Sequence, residues 1–422
     1  MGSVLATAYD AVDDALTRRL LAASVYNVLR LELPVVSPGP GQDKYEAAAA
    51  LFTEWREEGA ITPDPKPAYY VLGHDFVHMG RRLTQLGLVC LCSLHEWAEH
   101  EILPHERTLP DPRAGRLRHL QALRATFSLG ILVARDPARE LRAFLEQVAR
   151  GPVLATVQRN WFEGHRLWRV EAGALPAAAR DAVQSGPLYM GDGHHRYEAA
   201  LDYRRESSSG PLDETAEPAD STTPPEAERE GPAGSQMAYI VSATAPGLLV
   251  MGAHRVINAN MDTLGNLERA GWEVAERCST AEVLRTEQMA YLQGANPDGD
   301  PRLWLVGGQE SQLLTLPPAA LSRWECDERS PLWNRQESSL VDRQLLRGLN
   351  GQDEPNVTYT RNARLAVDLV RGGRGNFALL MPSVSLDQVM ALADAGEILP
   401  AKTTHFYPKP PAGLVVRSLD VI

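Results

Sequence analysis

The stretch Gly186-Pro-Leu-Tyr-Met-Gly-Asp-Gly-His-His-Arg-Tyr-Glu-Ala-Ala-Leu-Asp-Tyr-Arg-Arg205 decides how the chain is read. Leu188 to Met190 reads as a short strand, and His194 to Arg204 as a helix with Tyr197, Ala200, Leu201 and Arg204 at helical spacing. Between them, Gly191 and Gly193 permit a tight turn and close backbone approach. Asp192 is expected at the helix N-cap. Such a helix start presents N–H donors and the positive end of the helix dipole, here ringed by His194, His195 and Arg196. Two histidines and an arginine in one helical turn repel each other without a counter-anion. The pattern predicts an anion site, and phosphate is the commonest occupant of such sites.

Outward from this turn, strands and helices alternate. Towards the N-terminus, helices are expected at 45–58, 116–124 and 138–150, and strands at 68–72, 86–94 and 129–134. Towards the C-terminus, Ala238 to Ala243 and Leu248 to Ala253 flank Ala245-Pro246-Gly247, which predicts a hairpin. Further helices are expected near 261–270, 281–292, 339–348, 361–371 and 385–395. Further strands are expected near 303–306, 356–360, 377–381, 404–407 and 413–417. The fold class is α+β, with mixed sheets, hairpins and helices. Four parts are expected: 1–204, an insertion at 205–235, a hairpin at 236–256 completing the site, and an α/β part at 257–422 whose last strands return to it. The insertion, Arg205 to Ser235, holds eight acids and two arginines, no aromatic and one large aliphatic residue, Leu212. It cannot bury enough apolar area to offset its ordering entropy and reads as disordered.

The 422 residues carry a formal charge of −12, half of it in the insertion. An acidic balance disfavours sequence-independent nucleic-acid binding. No apolar run is long enough to span a bilayer, and the acids of Met1 to Arg19 precede its first arginine, the wrong order for a secretory signal. A soluble, cytoplasmic protein is expected. Cys90, Cys92, Cys278 and Cys326 make no disulfide framework or metal motif. His95 and His100 stand five apart, the wrong spacing for two ligands on one helix face.

Two further clusters share the character of the glycine turn. His105, Glu106, Arg107 and Thr108 lie in a Pro-bounded loop after a strand, and His254-Arg255 ends the strand that follows the expected hairpin. The chain uses 38 arginines but four lysines, and two of these, Lys402 and Lys409, fall within Ala401-Lys-Thr-Thr-His-Phe-Tyr-Pro-Lys409. In so arginine-rich a chain, that pair suggests a compact ammonium for phosphate or proton transfer.

Asp192-Gly-His-His-Arg-Tyr-Glu-Ala-Ala, the earlier His105-Glu-Arg-Thr, Pro246-Gly-Leu-Leu with His254-Arg255, and Lys402-Thr-Thr-x-Phe-Tyr-Pro-Lys409 followed by Gly413-Leu414 resemble the bacterial and archaeal family called domain of unknown function 1015. The resemblance runs in order from Tyr9-Asp10 to the end. Family members carry an extra strand-like stretch before the Tyr-Asp pair, where this chain has Ala-Thr-Ala. The Asp-Gly-His-His-Arg start is also similar to the nucleotide-binding turn of the ParB and sulfiredoxin superfamily, which includes free-serine kinases. That resemblance implies a nucleotide-binding core and phosphate chemistry with ATP, ADP or CTP, on a small hydroxylated or phosphorylated metabolite such as serine or phosphoserine.

Two functions are in view. As a kinase- or phosphatase-type enzyme, the chain would clamp phosphate with Gly193, His195, Arg196, His105, Arg107, Thr108, His254, Arg255, Lys402, Thr403 and Lys409. Glu106 or Asp192 would serve as general base or hold Mg²⁺, and His194 would donate a proton or accept phosphate. The alternative is a nucleotide-gated binding module with little turnover. A metal site of His105, His194, His195 and His254 is a third, weaker reading, because adjacent histidines rarely coordinate one ion from a helix start.

Overall fold

In the computed structural model, described residues are 2–7, 14–35, 43–108, 110–160, 163–208, 231–258, 263–285, 299–346 and 356–420. They divide into two units. The first comprises residues 1–104, 108–248 and 408–422, and the second residues 105–107 and 249–407.

The first unit is built on an eight-stranded mixed sheet. Its strands are β1 (Ala68–His78), β2 (Arg81–Ser93), β3 (Ile102–Leu103), β5 (Gly130–Ala134), β6 (Ala155–Asn160), β7 (Glu163–Glu171), β8 (Leu188–Asp192) and β9 (Ser235–Ser242), in the order β3-β8-β5-β9-β2-β1-β7-β6. β4 (Ala125–Thr126) pairs instead with Arg417–Ser418. β1 and β2 turn through Met79 and Gly80, both at positive φ, as a two-residue hairpin requires. Helices Glu140–Val148, Ala177–Gln184 and His194–Ser208 lay Leu141, Leu145, Ala179, Tyr197 and Leu201 against Val71, Leu88, Trp168 and Ile240. A second cluster gathers Leu29, Leu31, Phe52, Trp55, Leu123 and Phe127 around the N-terminal helices.

The second unit has a six-stranded antiparallel sheet and a short two-stranded one. Its strands are β10 (Leu249–Gly252), β11 (His254–Asn258), β12 (Glu273–Ser279), β13 (Arg302–Val306), β14 (Glu310–Thr315), β15 (Asn356–Thr360), β16 (Phe377–Leu380) and β17 (Thr404–Tyr407). The large sheet runs β12-β14-β13-β16-β11-β15, and β10 pairs with β17. Strand alternation separates its two cores. Leu303 and Leu305 face Leu267, Trp272 and Leu340, whereas Trp304 and Val306 face Ala366, Val367 and Val370 of helix Ala363–Arg371.

The α+β class expected from the sequence is the class observed. The hairpin at 238–253 is not formed. β9 lies between β2, antiparallel, and β5, parallel, while β10 pairs with β17 in the other unit. β9 is buried almost throughout, as a central strand must be when both its edges and both its faces are covered. Gly247 serves close packing: a Cβ there would fall 2.3 Å from the Thr84 carbonyl oxygen. His254 and Arg255 therefore open β11 rather than close a hairpin.

Other boundaries also move. The helix expected to stop before the acidic insertion continues to Ser208, and Pro232–Gly234 forms a 3₁₀ turn leading into β9. The rest of the insertion, 209–230, lies outside the described residues, as does Tyr9-Asp10. Of the helix expected at 281–292, Thr280–Val283 is observed and 286–292 lies outside the described residues. The helix expected at 339–348 begins at Glu337 and passes into a π turn at Asp342–Leu346. The strand expected at 413–417 is reduced to Arg417–Ser418.

Candidate functional site

β8 delivers Asp192, and the helix begins at His194, with Gly193 between them at φ +103. The Tyr197 N–H donates to the Gly193 carbonyl at 2.9 Å, so Gly193 stands where Asp192 was expected to cap. Asp192 has another task. One carboxylate oxygen lies 2.6 Å from the Lys409 ammonium, and the other accepts from the Arg196 guanidinium at 2.7 Å. Arg196 also donates to the Leu129 carbonyl at 2.9 Å, which ties it to the chain entering β5. The Lys409 side chain is 8% exposed and that of Arg196 11%, so both cations are held in place rather than waving in solvent.

Glycine at 193 is required twice. Its φ suits no ordinary side chain, and a Cβ would lie 3.1 Å from the Arg196 guanidinium and 3.2 Å from the Gly130 Cα. His194 is buried and His195 half-buried in the first helical turn. Thr108 meets the same helix one turn later, donating to Glu198 at 2.8 Å. Glu198 also takes Arg113, whose guanidinium makes two short bonds to Asp202. Thr108 is thus a brace on the helix rather than a donor aimed at its N-terminus.

The remaining sequence-predicted residues belong to the second unit. Glu106 accepts from the backbone N–H groups of Lys402 at 2.6 Å and of Thr403 and Thr404 at 3.1 Å, and from the Thr404 hydroxyl at 3.2 Å. A carboxylate with four donors is a clamp on the 402–404 turn, which runs through Lys402 at φ +60. This engagement opposes its use as a general base or a Mg²⁺ ligand. His105 is buried and shares a hydrogen bond with the Thr404 hydroxyl at 2.8 Å. Thr403 is buried and donates to the Pro400 carbonyl at 2.7 Å, while Arg107 is exposed.

His254 and Arg255 are buried in β11. The Met381 N–H donates to His254 Nδ1 at 3.1 Å. Burial, with Arg255 adjacent, pushes the imidazole down to about 4, so it is neutral near pH 7. Arg255 donates to the Ala253 carbonyl and lies over the Tyr359 ring. Both are core residues. Of the four histidines of the metal reading, His194 and His195 lie in the first unit and His105 and His254 in the second.

Sequence reasoning passed over His405, which sits in the quoted Lys402–Lys409 stretch. Arg361 donates to its Nε2 at 2.7 Å and covers Tyr407, an arrangement that needs the neutral ring. Cys90 and Cys92 share one face of β2, and burial pushes both thiols up, Cys92 to about 11. They are poor nucleophiles. Between His95 and His100, Trp97–Glu99 forms a 3₁₀ turn, and Glu96 before it pairs with the buried Arg204 and with Arg205. Among the described residues, no helix is long and apolar enough to cross a membrane.

Among solved structures, the chain is similar to a conserved hypothetical protein from Pyrococcus furiosus, at 12% identity and TM-score 0.40, covering 79% of this chain and 96% of that one. It is similar to a free serine kinase in complex with AMP, at 12% identity and TM-score 0.37, covering 75% and 86%. It is also similar to C-terminally truncated SbnI from Staphylococcus aureus, at 11% identity and TM-score 0.38, covering 79% and 89%. No curated protein matches the chain. The family described as "Protein of unknown function (DUF1015)" matches residues 1–321, well over half the sequence. The chain belongs to the DUF1015 family.

Proposed function

We propose that the protein is a phosphate-handling enzyme of kinase or phosphatase type acting on a small metabolite, with its phosphate clamp at the Asp192–Arg196 helix start. One observation carries the reading. Lys409 and Arg196 are brought to opposite oxygens of one carboxylate at the mouth of a helix whose first two residues are histidines. Cations fixed in this way need little reorganisation to receive an oxyanion, and phosphoryl transfer depends mainly on such fixed charge and positioning.

In this reading Arg196, His195 and Lys409 neutralise phosphate oxygens and Gly193 lets the backbone approach them. His194 exchanges a proton with the attacking or leaving oxygen. Asp192 orients the two cations. A nucleotide is the proposed phosphate carrier on the strength of the Asp192–Arg196 motif. Mg²⁺ finds no fit in this donor set, because the Asp192 oxygens already take cations and those of Glu106 take four donors. Lys402 and Arg107 bind ligand within the second unit in this reading.

The experiment is turnover of ATP, ADP or CTP with serine, and of phosphoserine alone, by the full chain. His194→Ala is expected to abolish turnover while leaving the melting temperature unchanged. Nucleotide binding with no turnover would replace the enzyme by a nucleotide-gated binding module.

A further inference from the structure

Far from the glycine turn along the first unit's sheet, three strands carry a row of buried polar side chains. His74 on β1 stands opposite Gln85 on β2 and opposite His165 on β7. Glu163 lies two residues before His165 and is therefore on the same face, opposite Phe76. Trp168 and Val71, on the other face, pack under the helices. His74, His165 and Gln85 are almost wholly buried, and Glu163 is partly exposed at the start of its strand.

The geometry is that of a ligand set. His74 Nε2 and Glu163 Oε1 are 3.1 Å apart, and the rings of His74 and His165 stand edge to face with centroids 4.2 Å apart. One donor atom from each of His74, Glu163 and His165 lies within 4.8 Å of the others. Donors bound tetrahedrally at ~2.0 Å from one ion are about 3.3 Å apart, so a small closure of this triad would seat a metal. A second observation points the same way. Among the described residues, neither amide atom of the wholly buried Gln85 has a hydrogen-bond partner, nor does His74 Nδ1. A fold seldom tolerates such groups side by side in a sheet unless something else engages them.

We propose that His74, His165 and Glu163 bind a divalent transition-metal ion of the zinc class. Two imidazoles and one carboxylate suit zinc, and they leave a coordination position for water. With the ion bound, Gln85 would become a positioning residue, hydrogen-bonding from outside the ligand set to His74, which it stands opposite in the strand pair. The partly exposed Glu163 gives the ion its way in. Oxygen-seeking Mg²⁺ and Ca²⁺ are poorly matched to two imidazoles.

The test uses untagged full-length chain, stripped with chelator and then given Zn²⁺ alone or Co²⁺ alone, with no phosphate compound present. Its outcome is therefore independent of the phosphate proposal. About one equivalent of zinc per chain is expected, with visible Co²⁺ absorption of tetrahedral or five-coordinate type. His165→Ala should weaken binding about 100-fold and Gln85→Leu about tenfold. Should the histidine variant fail to fold, Glu163→Gln at the partly exposed strand end keeps the test open, with a loss of about tenfold or more. Wild-type protein that takes up neither ion at micromolar concentration would overturn the proposal. Equal uptake by wild type and Glu163→Gln would overturn it too.

Discussion

The ammonium of Lys409 lies 2.6 Å from one oxygen of Asp192, and the guanidinium of Arg196 lies 2.7 Å from the other. A residue near the chain's end, a strand end and a helix start thus meet at one carboxylate. Two cations share one anion there, and the predictions for the glycine turn follow from the proposal that a phosphate completes this centre.

Asp192→Asn removes the shared anion and leaves Lys409 beside Arg196. A loss of about 2–3 kcal/mol in stability is expected in phosphate-free buffer, because the cations are largely buried and lose their partner. Inorganic phosphate should restore more stability to this variant than it adds to wild type. Urea denaturation with and without phosphate reads both effects.

Gly193→Ala places a Cβ against the Arg196 guanidinium and strains a backbone at φ +103. The expected cost is about 1–2 kcal/mol in stability. Phosphate affinity should fall as well, because Arg196 is displaced. A control such as Gly186→Ala, with nothing within 4 Å of the added carbon, should leave affinity unchanged.

Glu106→Ala strips four acceptor contacts from the 402–404 turn. A destabilisation of roughly 2–3 kcal/mol is expected, since hydrogen bonds to a charged group are the stronger kind. Amide hydrogen exchange should accelerate at Lys402, Thr403 and Thr404 first. Unchanged protection there would show that the turn holds itself.

Two groups of the second unit, the buried His254 and the half-buried Glu337, set opposite pH slopes. His254 is pushed down to about 4, so the unfolded chain binds its proton first. Its contribution, about 3 kcal/mol, is present above about pH 6.5 and lost as pH falls towards 4. Burial pushes Glu337 up to about 7, which makes it the reverse case. Its contribution is present below about pH 4.5 and lost as pH rises through 7. His254→Asn keeps an acceptor for Met381 and should flatten the acid slope. Glu337→Gln should gain stability over wild type at pH 8 but not at pH 4. Denaturation midpoints across this range check both.

Much of the local structure was legible because it depends on local pattern. The helix after Gly193, the strand before it and the alternation of Leu303 to Val306 follow from spacing alone. The pairing of β9 was not legible. Met237 to Val241 is as apolar as a hairpin strand or a central strand would be, and only the long-range partners β2 and β5 distinguish them. The same limit hid the row of Gln85, His74 and His165, which exists only once register sets three strands side by side. At the candidate site the residue types were readable but their tasks were not. Asp192 and Glu106 read as a general base or a Mg²⁺ holder, and only the folded chain shows the donors each carboxylate meets, Lys409 and Arg196 for Asp192 and the 402–404 backbone for Glu106. A short sequence shows which charges are near one another, but not which lone pairs are already taken.

The most direct measurement is calorimetric titration of the full chain with inorganic phosphate, phosphoserine, ADP and ATP, set beside Arg196→Met and Lys409→Met. The account predicts saturable binding of at least one of these by wild type, weakened about tenfold or more (~1.4 kcal/mol) by each substitution. Wild type that binds none of them, or variants that bind as tightly as wild type, would contradict it.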